Sequence, residues 1–295
     1  MKKEFSHTKL SCYEECQKKF EHKYINKVYP RKRPIYFIVG SAVSNFLQSF
    51  YGMKGKNIDI AVKSLLAEFD KVDKGSMSPD DMQDLELDKA KIQGIMSAYI
   101  EAYEKDFDEY PTILTEQEGE VAMINGSLRG RLDALFQDKN DSWWILETKT
   151  TSQISNTQLQ KVPLDSQTLG YCALAESIIH EVPIGVIYNV IQKSRLRRKI
   201  RESWEEFITR VKVDYSNWRE RGYFQRTKIR LNDRHFHDWK EDKTNLITEI
   251  VSKMDNPDTI WRRSTGACEG KYGSACEYLP ACLSGTYNNI LYKEG

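Results

Sequence analysis

The chain has 295 residues, enough for one large domain or two small ones with a well-buried core. Its 40% hydrophobic and 29% charged content is that of an ordinary globular protein, which argues against a disordered or fibrous chain. The formal net charge of +1 excludes an overall polycation, so any nucleic-acid surface has to come from clustered basic residues. No apolar run approaches the ~20 residues of a membrane span. The opening MKKEFSHTKLSCYEEC has no apolar stretch after its lysines, so no signal peptide, no membrane contact and a cytoplasmic location are expected.

In chain order, Leu10 to Tyr24 has helical spacing, with Ser6 or Thr8 available as N-cap. Ile38 to Tyr51 reads as a second helix, apolar at Val43, Phe46, Leu47 and Phe50. Asp59 to Phe69 and Ser78 to Glu109 read as further helices, the latter opened by Ser78-Pro79-Asp80-Asp81. The character changes at Pro111. Glu120 to Met123, Leu128 to Gln137 and Trp143 to Lys149 read as strands. Asn125-Gly126 makes a tight hairpin turn between the first two, and Asp138 to Asp141 a polar turn between the last two. A helix from Leu164 to His180, an apolar strand from Ile184 to Gln192 and a helix from Ser203 to Arg221 follow. The stretch from Met254 to Cys282 is loop-rich. This order predicts an α/β fold, a mixed central sheet flanked by helices, as one domain over residues 1–295 with a helical insertion at 51–110.

The chemistry concentrates in Gly130-Arg-Leu-Asp133 and Ile145-Leu-Glu147-Thr-Lys149-Thr150. Glu147 and Lys149 are two apart on one strand, so both side chains leave the same face. Asp133 sits on the neighbouring strand, within ~5.5 Å of a cross-strand partner. Charges gathered among apolar neighbours are costly unless they are paired or have work to do. Two close carboxylates suit a hard divalent cation, and an adjacent ammonium suits charge developing on a phosphate. A plain cross-strand ion pair is the simpler reading of these residues alone.

Six cysteines are present, with Cys12 and Cys16 near the start, Cys172 mid-chain, and Cys268, Cys276 and Cys282 grouped late. In a reducing compartment such a grouping reads as metal ligation rather than disulfides, and a Cys₄ zinc site ranks first on residue chemistry. Cys172, inside an apolar helix, reads as core. Lys193 to Arg201, KSRLRRKIR, is the clearest basic cluster, and Pro30 to Arg33 is a second. Each reads equally as a solvated face or a polyanion contact.

GRLDALF followed by WWILETKT resembles the core motif of the PD-(D/E)XK nuclease superfamily, in particular its RecB-like branch. Gln167-Thr-Leu-Gly-Tyr171 resembles the Q-x-x-x-Y that often follows there, and its spacing puts Gln167 and Tyr171 on one helical face. Lys9 to Phe20 and Ile38 to Ser44 are similar to the branch's first two helices. The resemblance implies a restriction-endonuclease-like fold and a divalent-metal-dependent DNA exonuclease of phage or CRISPR-associated type. It would act on DNA ends or single strands, with a recombination or CRISPR protein as partner. It implies catalytic Asp133, Glu147, Lys149, Gln167 and Tyr171, and Mg²⁺ or Mn²⁺ on Asp133 and Glu147. The chain departs from the branch at Ser44, where a histidine ligand is common, and at Gln48, where a glutamate often follows. Glu118 or Glu120 would then supply a further carboxylate, with Glu120 taken as the third metal ligand. A catalytically impaired DNA-binding or interaction protein is the alternative. The resemblance also implies a [4Fe–4S] cluster on Cys16, Cys268, Cys276 and Cys282. The cysteine-rich segment 261–285 would then close onto the N-terminal helix, with structural Zn²⁺ the alternative.

Overall fold

The computed structural model describes residues 3–31, 35–153, 155–269 and 275–295. Lys32 and Arg33 of the second basic cluster, and residues 270–274 between Cys268 and Cys276, lie outside the described residues. The chain divides into two compact units. The first gathers Met1–Pro34, Glu120–Gly130 and His237–Gly295, and the second Ile35–Gly119 and Arg131–Phe236. Among the described residues no helix is long and apolar enough to cross a membrane.

The chain starts with β1 (Lys3–Phe5) and α1 (His7–Glu15), capped by the Ser6 hydroxyl, which accepts from the Lys9 N–H at 3.2 Å. The helix expected to run on to Tyr24 breaks at Cys16, which is extended at φ −160°, ψ 115°. It resumes as α2 (Gln17–Phe20) and a π-helical turn (Glu21–Ile25), then passes into β2 (Val28–Pro30). Four helices follow: α3 (Ile35–Gly52), α4 (Ile58–Asp70), α5 (Pro79–Tyr103) and α6 (Asp106–Glu109). Ser78 and Asp81 close a reciprocal capping box on α5, as the Ser-Pro-Asp-Asp start signal requires.

Strands β3 (Thr112–Met123), β4 (Gly126–Gln137) and β5 (Trp143–Thr151) come next. Asn125 turns the first hairpin in the left-handed region, at φ 67°. The Asp138 carboxylate accepts from the N–H groups of Asn140 and Ser142 and so organises the second turn. Then come α7 (Asn156–Lys161), α8 (Ser166–Ile179), β6 (Gly185–Gln192), α9 (Trp204–Ser216) and α10 (Trp218–Arg221). The chain finishes with β7 (Phe224–Arg230), α11 (Asp233–Asp255), α12 (Leu279–Ser284) and β8 (Tyr292–Glu294). The sequence pattern did not anticipate β7 or α11.

In the second unit the strands lie in the order β4-β5-β6-β7. The β5–β6 pair is parallel and its neighbours are antiparallel, so the sheet is mixed. Strand β6 is buried along Gly185 to Ile191, as an interior strand covered on both faces must be. Helices α3 and α8 both pack against β5, giving the mixed α/β architecture with flanking helices. A buried polar knot fixes one face of this sheet. Arg226 on β7 donates to both carboxylate oxygens of Asp106 at 2.7 and 2.8 Å, to the Tyr99 hydroxyl at 2.6 Å and to Asn189 at 3.1 Å. The Tyr103 ring lies against it, 3.5 Å from guanidinium carbon to centroid. Asn189 passes the linkage to the Thr148 hydroxyl on β5 at 3.1 Å.

In the first unit β1 lies parallel to the start of β4, Phe5 opposite Leu128, and β2 pairs antiparallel with β8. The Tyr278 hydroxyl donates to the Val28 carbonyl at 2.7 Å. Helix α1 is tied to α11 by the Tyr13 hydroxyl on Glu249 at 2.6 Å and by Lys243 on Glu14 at 2.6 Å.

Helices α5 and α9 approach closely because Gly94 has no side chain. A Cβ there would stand 2.7 Å from the Ile208 carbonyl and 2.8 Å from the Val211 Cβ. Gly94→Val should therefore cost about 1–3 kcal/mol through overpacking, read as a lower urea midpoint at unchanged slope.

Candidate functional site

The site forms on the face of β5 opposite the Arg226 knot. Alternation along the strand sends Thr148 to one side and Glu147 and Lys149 to the other. The β4–β5 ladder pairs Ala134 with Leu146, and the next residue on β4, Asp133, accepts the Thr148 N–H and acts through its charge on Glu147. Glu147 is buried at 2% exposure, and its Oε1 is paired with the Lys149 ammonium. Lys149 Nζ also donates to Gln167 Oε1 at 2.7 Å, and Gln167 Nε2 donates to the Tyr171 hydroxyl at 2.8 Å. Glu147, Lys149, Gln167 and Tyr171 thus form one hydrogen-bonded chain from β5 to α8. The α8 residues are presented by an N-cap, Asp165, whose carboxylate accepts from the Thr168 N–H at 2.9 Å.

The electrostatics are those of crowded anions. Burial first, and then the neighbouring Glu116 charge, push the Asp133 carboxyl above the ordinary aspartate range, against Lys149 and a backbone N–H from Thr148. Burial also raises Glu147, with Lys149 opposing it and Asp133 adding to it. Burial works against the Lys149 ammonium, yet Glu147 outweighs this and holds its pKa above the usual lysine value. The Glu147 Oε2 is buried and has no hydrogen-bond partner among the described residues. Such an orphaned oxygen, with the charge of a second carboxylate acting on it, is a buried acceptor left unmet.

The further carboxylate acting on Asp133 within this unit is Glu116, not one that sequence reasoning named. Glu116 lies in β3 with its backbone in the left-handed region at φ 52°, and pairs with Arg131. That backbone twist interrupts simple alternation along the strand, so counting by twos does not give its direction. Glu120, expected as third ligand, belongs to the first unit, where it is exposed beside Arg129 at 3.6 Å. Glu118 is exposed as well. On α3, Ser44 is half-buried and Gln48 exposed. Asp165 was also missed. Its charge acts on Glu147, Lys149 and Tyr171. An N-cap aspartate just before a candidate catalytic helix was the available signal.

The first unit holds the cysteines. Cys16, Cys268, Cys276 and Cys282 line one cavity, together with Lys19, Arg263 and Tyr278. The extended backbone at Cys16 takes that residue out of the helix, and its sulfur accepts from the Ser264 N–H at 3.5 Å. His22 Nε2 lies 3.4 Å from the Cys282 sulfur, and its Nδ1 lies 2.6 Å from the Tyr287 hydroxyl. Burial raises the Cys276 and Cys282 thiols, with Lys19 opposing it at the first and Arg263 at the second. Cys12 and Cys172 are buried elsewhere. Among the described residues no three His, Cys, Asp or Glu side chains, here or around Asp133, form a group placed to hold a metal ion by themselves.

A model of the PD-(D/E)XK nuclease superfamily matches residues 4–283. The chain belongs to that superfamily. Membership makes it nuclease-like and implies a nucleic-acid substrate and the divalent metals that PD-(D/E)XK nucleases typically use. A solved structure from Eubacterium rectale, described as a "putative exonuclease", shares the fold. It is 11% identical with a TM-score of 0.53, and the match covers 96% of this chain and 88% of that one. No curated protein matches.

Asp133 and Glu147 give a signed expectation. Their raised pKa values mean the metal-free fold favours the protonated carboxyls more than the unfolded chain does. That contribution is full below the ordinary carboxylate range and is lost as pH rises through the raised values. Asp133→Asn keeps an acceptor for Thr148 and removes one charge. Metal-free D133N should melt several degrees above metal-free wild type at pH 8, and the gap should close toward pH 4 in a thermal scan.

Proposed function

We propose that the protein is a divalent-metal-dependent deoxyribonuclease, an exonuclease acting at DNA ends or on single strands. The observation that carries this is the buried Glu147, one oxygen on Lys149 and the other unpartnered, with the Asp133 charge acting on it. The donor set is hard oxygen, which suits Mg²⁺ or Mn²⁺. Asp133 and Glu147 would hold the cation, with Glu116 a further carboxylate whose charge acts on Asp133. Two protein carboxylates are enough when substrate phosphate and water complete the shell. When bound, the metal supplies Lewis-acid polarisation of the phosphate and a lowered water pKa.

The chain's own residues do the rest. Lys149, held protonated between Glu147 and Gln167, faces negative charge growing on the scissile phosphate. Gln167 fixes the lysine's direction by accepting one of its protons, and Tyr171 fixes the glutamine's amide in turn. Tyr171 itself stays protonated, since burial and the nearby Glu147 and Asp133 charges push its pKa well above the ordinary tyrosine value. It is thus available as a donor to a phosphate oxygen.

The group held by Cys16, Cys268, Cys276 and Cys282 would be a [4Fe–4S] cluster, with structural Zn²⁺ the alternative. The four thiols line one cavity, and four cysteines are what such a cluster takes. Bound there, it would staple distant parts of the first unit and contribute to that unit's folding.

Lys149→Ala should lower cleavage of end-labelled DNA about a hundred- to a thousand-fold with Mg²⁺ or Mn²⁺ while leaving DNA binding in place. Wild type that cuts neither single- nor double-stranded DNA with either metal would favour an impaired, DNA-binding member, as Ser44 and Gln48 would then suggest. Protein purified without oxygen should be brown and contain iron and sulfide. Cys16→Ser should lose both and melt at lower temperature, whereas a colourless protein carrying one zinc would return the cavity to the zinc reading.

A further inference from the structure

The segment between β6 and α9, Lys193 to Ser203, is not used by the chemistry above, yet it is held in a defined shape. The Lys193 N–H donates to the Thr151 carbonyl at 2.7 Å, and the Arg195 guanidinium to the Ser152 carbonyl at 3.2 Å. Glu202 is gripped by Arg210 through two bonds of 2.6 and 2.7 Å and accepts the Lys199 N–H at 2.9 Å. Arg210 also reaches the Arg197 carbonyl at 2.9 Å. Arg198 lies over the Trp204 ring at 4.5 Å, and that ring is 39% exposed. A basic stretch that only kept the protein in solution would not need this scaffolding.

What the scaffold displays is a set of cations with no internal role. The side chains of Arg197 and Arg201 are exposed and make no hydrogen bond or ion pair with any described residue. Between Lys199 and Arg201 stands Ile200, 99% exposed. An isoleucine held fully in water on an ordered loop gains nothing for folding. Alternating phosphate-seeking cations and an apolar tip match a nucleic-acid strand, where charges recur every ~3.4 Å and an apolar side chain can press against or between bases. The loop is rooted at Thr151, two residues past Lys149, or about 7 Å along β5.

We infer that Lys193 to Ser203 is a strand-holding loop: Arg197, Lys199 and Arg201 take DNA phosphates, and Ile200 packs on an unstacked base next to the scissile phosphate. The Arg198–Trp204 stack offers a flat platform for a neighbouring base. This rests on the nuclease reading for its ligand. A single apolar side chain is too little surface to insert stably in a bilayer, so DNA is favoured over an anionic membrane.

The test is binding of a labelled single-stranded oligonucleotide by full-length Lys149→Ala protein with Mg²⁺, over a salt series. Adding Arg197→Gln and Arg201→Gln should weaken binding at least tenfold at low salt. It should also flatten the plot of log affinity against log salt by about 1.4, at roughly 0.7 for each phosphate no longer neutralised. Ile200→Ser should weaken binding several-fold at unchanged slope. Unchanged affinity and slope in the loop variants would overturn the inference even if wild type cuts DNA. Loop-dependent binding without any cleavage by wild type would keep the loop and sink the nuclease reading. Ile200-dependent binding to anionic vesicles, with DNA binding unaffected, would assign the loop to a membrane instead.

Discussion

A buried guanidinium is tolerable only when its donors are met, and the second unit is organised around meeting those of Arg226. Asp106, Tyr51, Tyr99 and Asn189 converge on it, from a helix on either side of α4, from α6 and from the strand beside β7. Because Asn189 also reaches Thr148, the knot sets the register of β5. A slip of one residue would turn Thr148 away from Asn189 and bring Glu147 or Lys149 into the knot, leaving buried polar groups unmet on both faces. The strand that presents the carboxylate and the ammonium is therefore locked from behind, by side chains that touch neither.

That arrangement explains how a costly site is sustained. Glu147 is buried with one oxygen unanswered, and Asp133 and Glu116 add charge of the same sign. Stability is given up locally and recovered in the aromatic packing of Phe50, Tyr51, Tyr99 and Phe136 around the knot. Lys149 relieves only half of Glu147, so the site remains short of positive charge.

Much of this was legible in the sequence, and the parts that were not share a cause. Asn125-Gly126 and the polar turn at Asp138 announced the hairpins, and the i, i+4 spacing of Gln167 and Tyr171 announced their shared face. These are local signals with local causes. Strand β7 was hidden because one of its inward-facing, half-buried positions is Arg226, which reads as surface until its partners are known. Helix α11 was hidden in the same way. Its inward stripe is Trp239, Lys243, Ile247 and Ile250, and Lys243 is buried only because Glu14 is there to meet it. The break at Cys16 interrupts a perfectly helical pattern, and the left-handed turn at Glu116 re-aims a carboxylate within a strand. For Arg226 and Lys243 a distant residue overrides the local pattern.

The first unit is assembled from three separated stretches of chain, two of which bring the cysteines. Ribosomes deliver the chain from its N-terminus at ~5–20 residues per second, so Cys16 emerges well before the segment that carries Cys268, Cys276 and Cys282. In the interval the second unit can complete its sheet through β7, while α1 has neither α11 to lie on nor sulfur companions for its cysteine. The unit holding the thiols is thus the last to close during biosynthesis. Of the four cavity thiols Cys16 is the one that waits longest for its companions, and in that interval it stands open to oxidation.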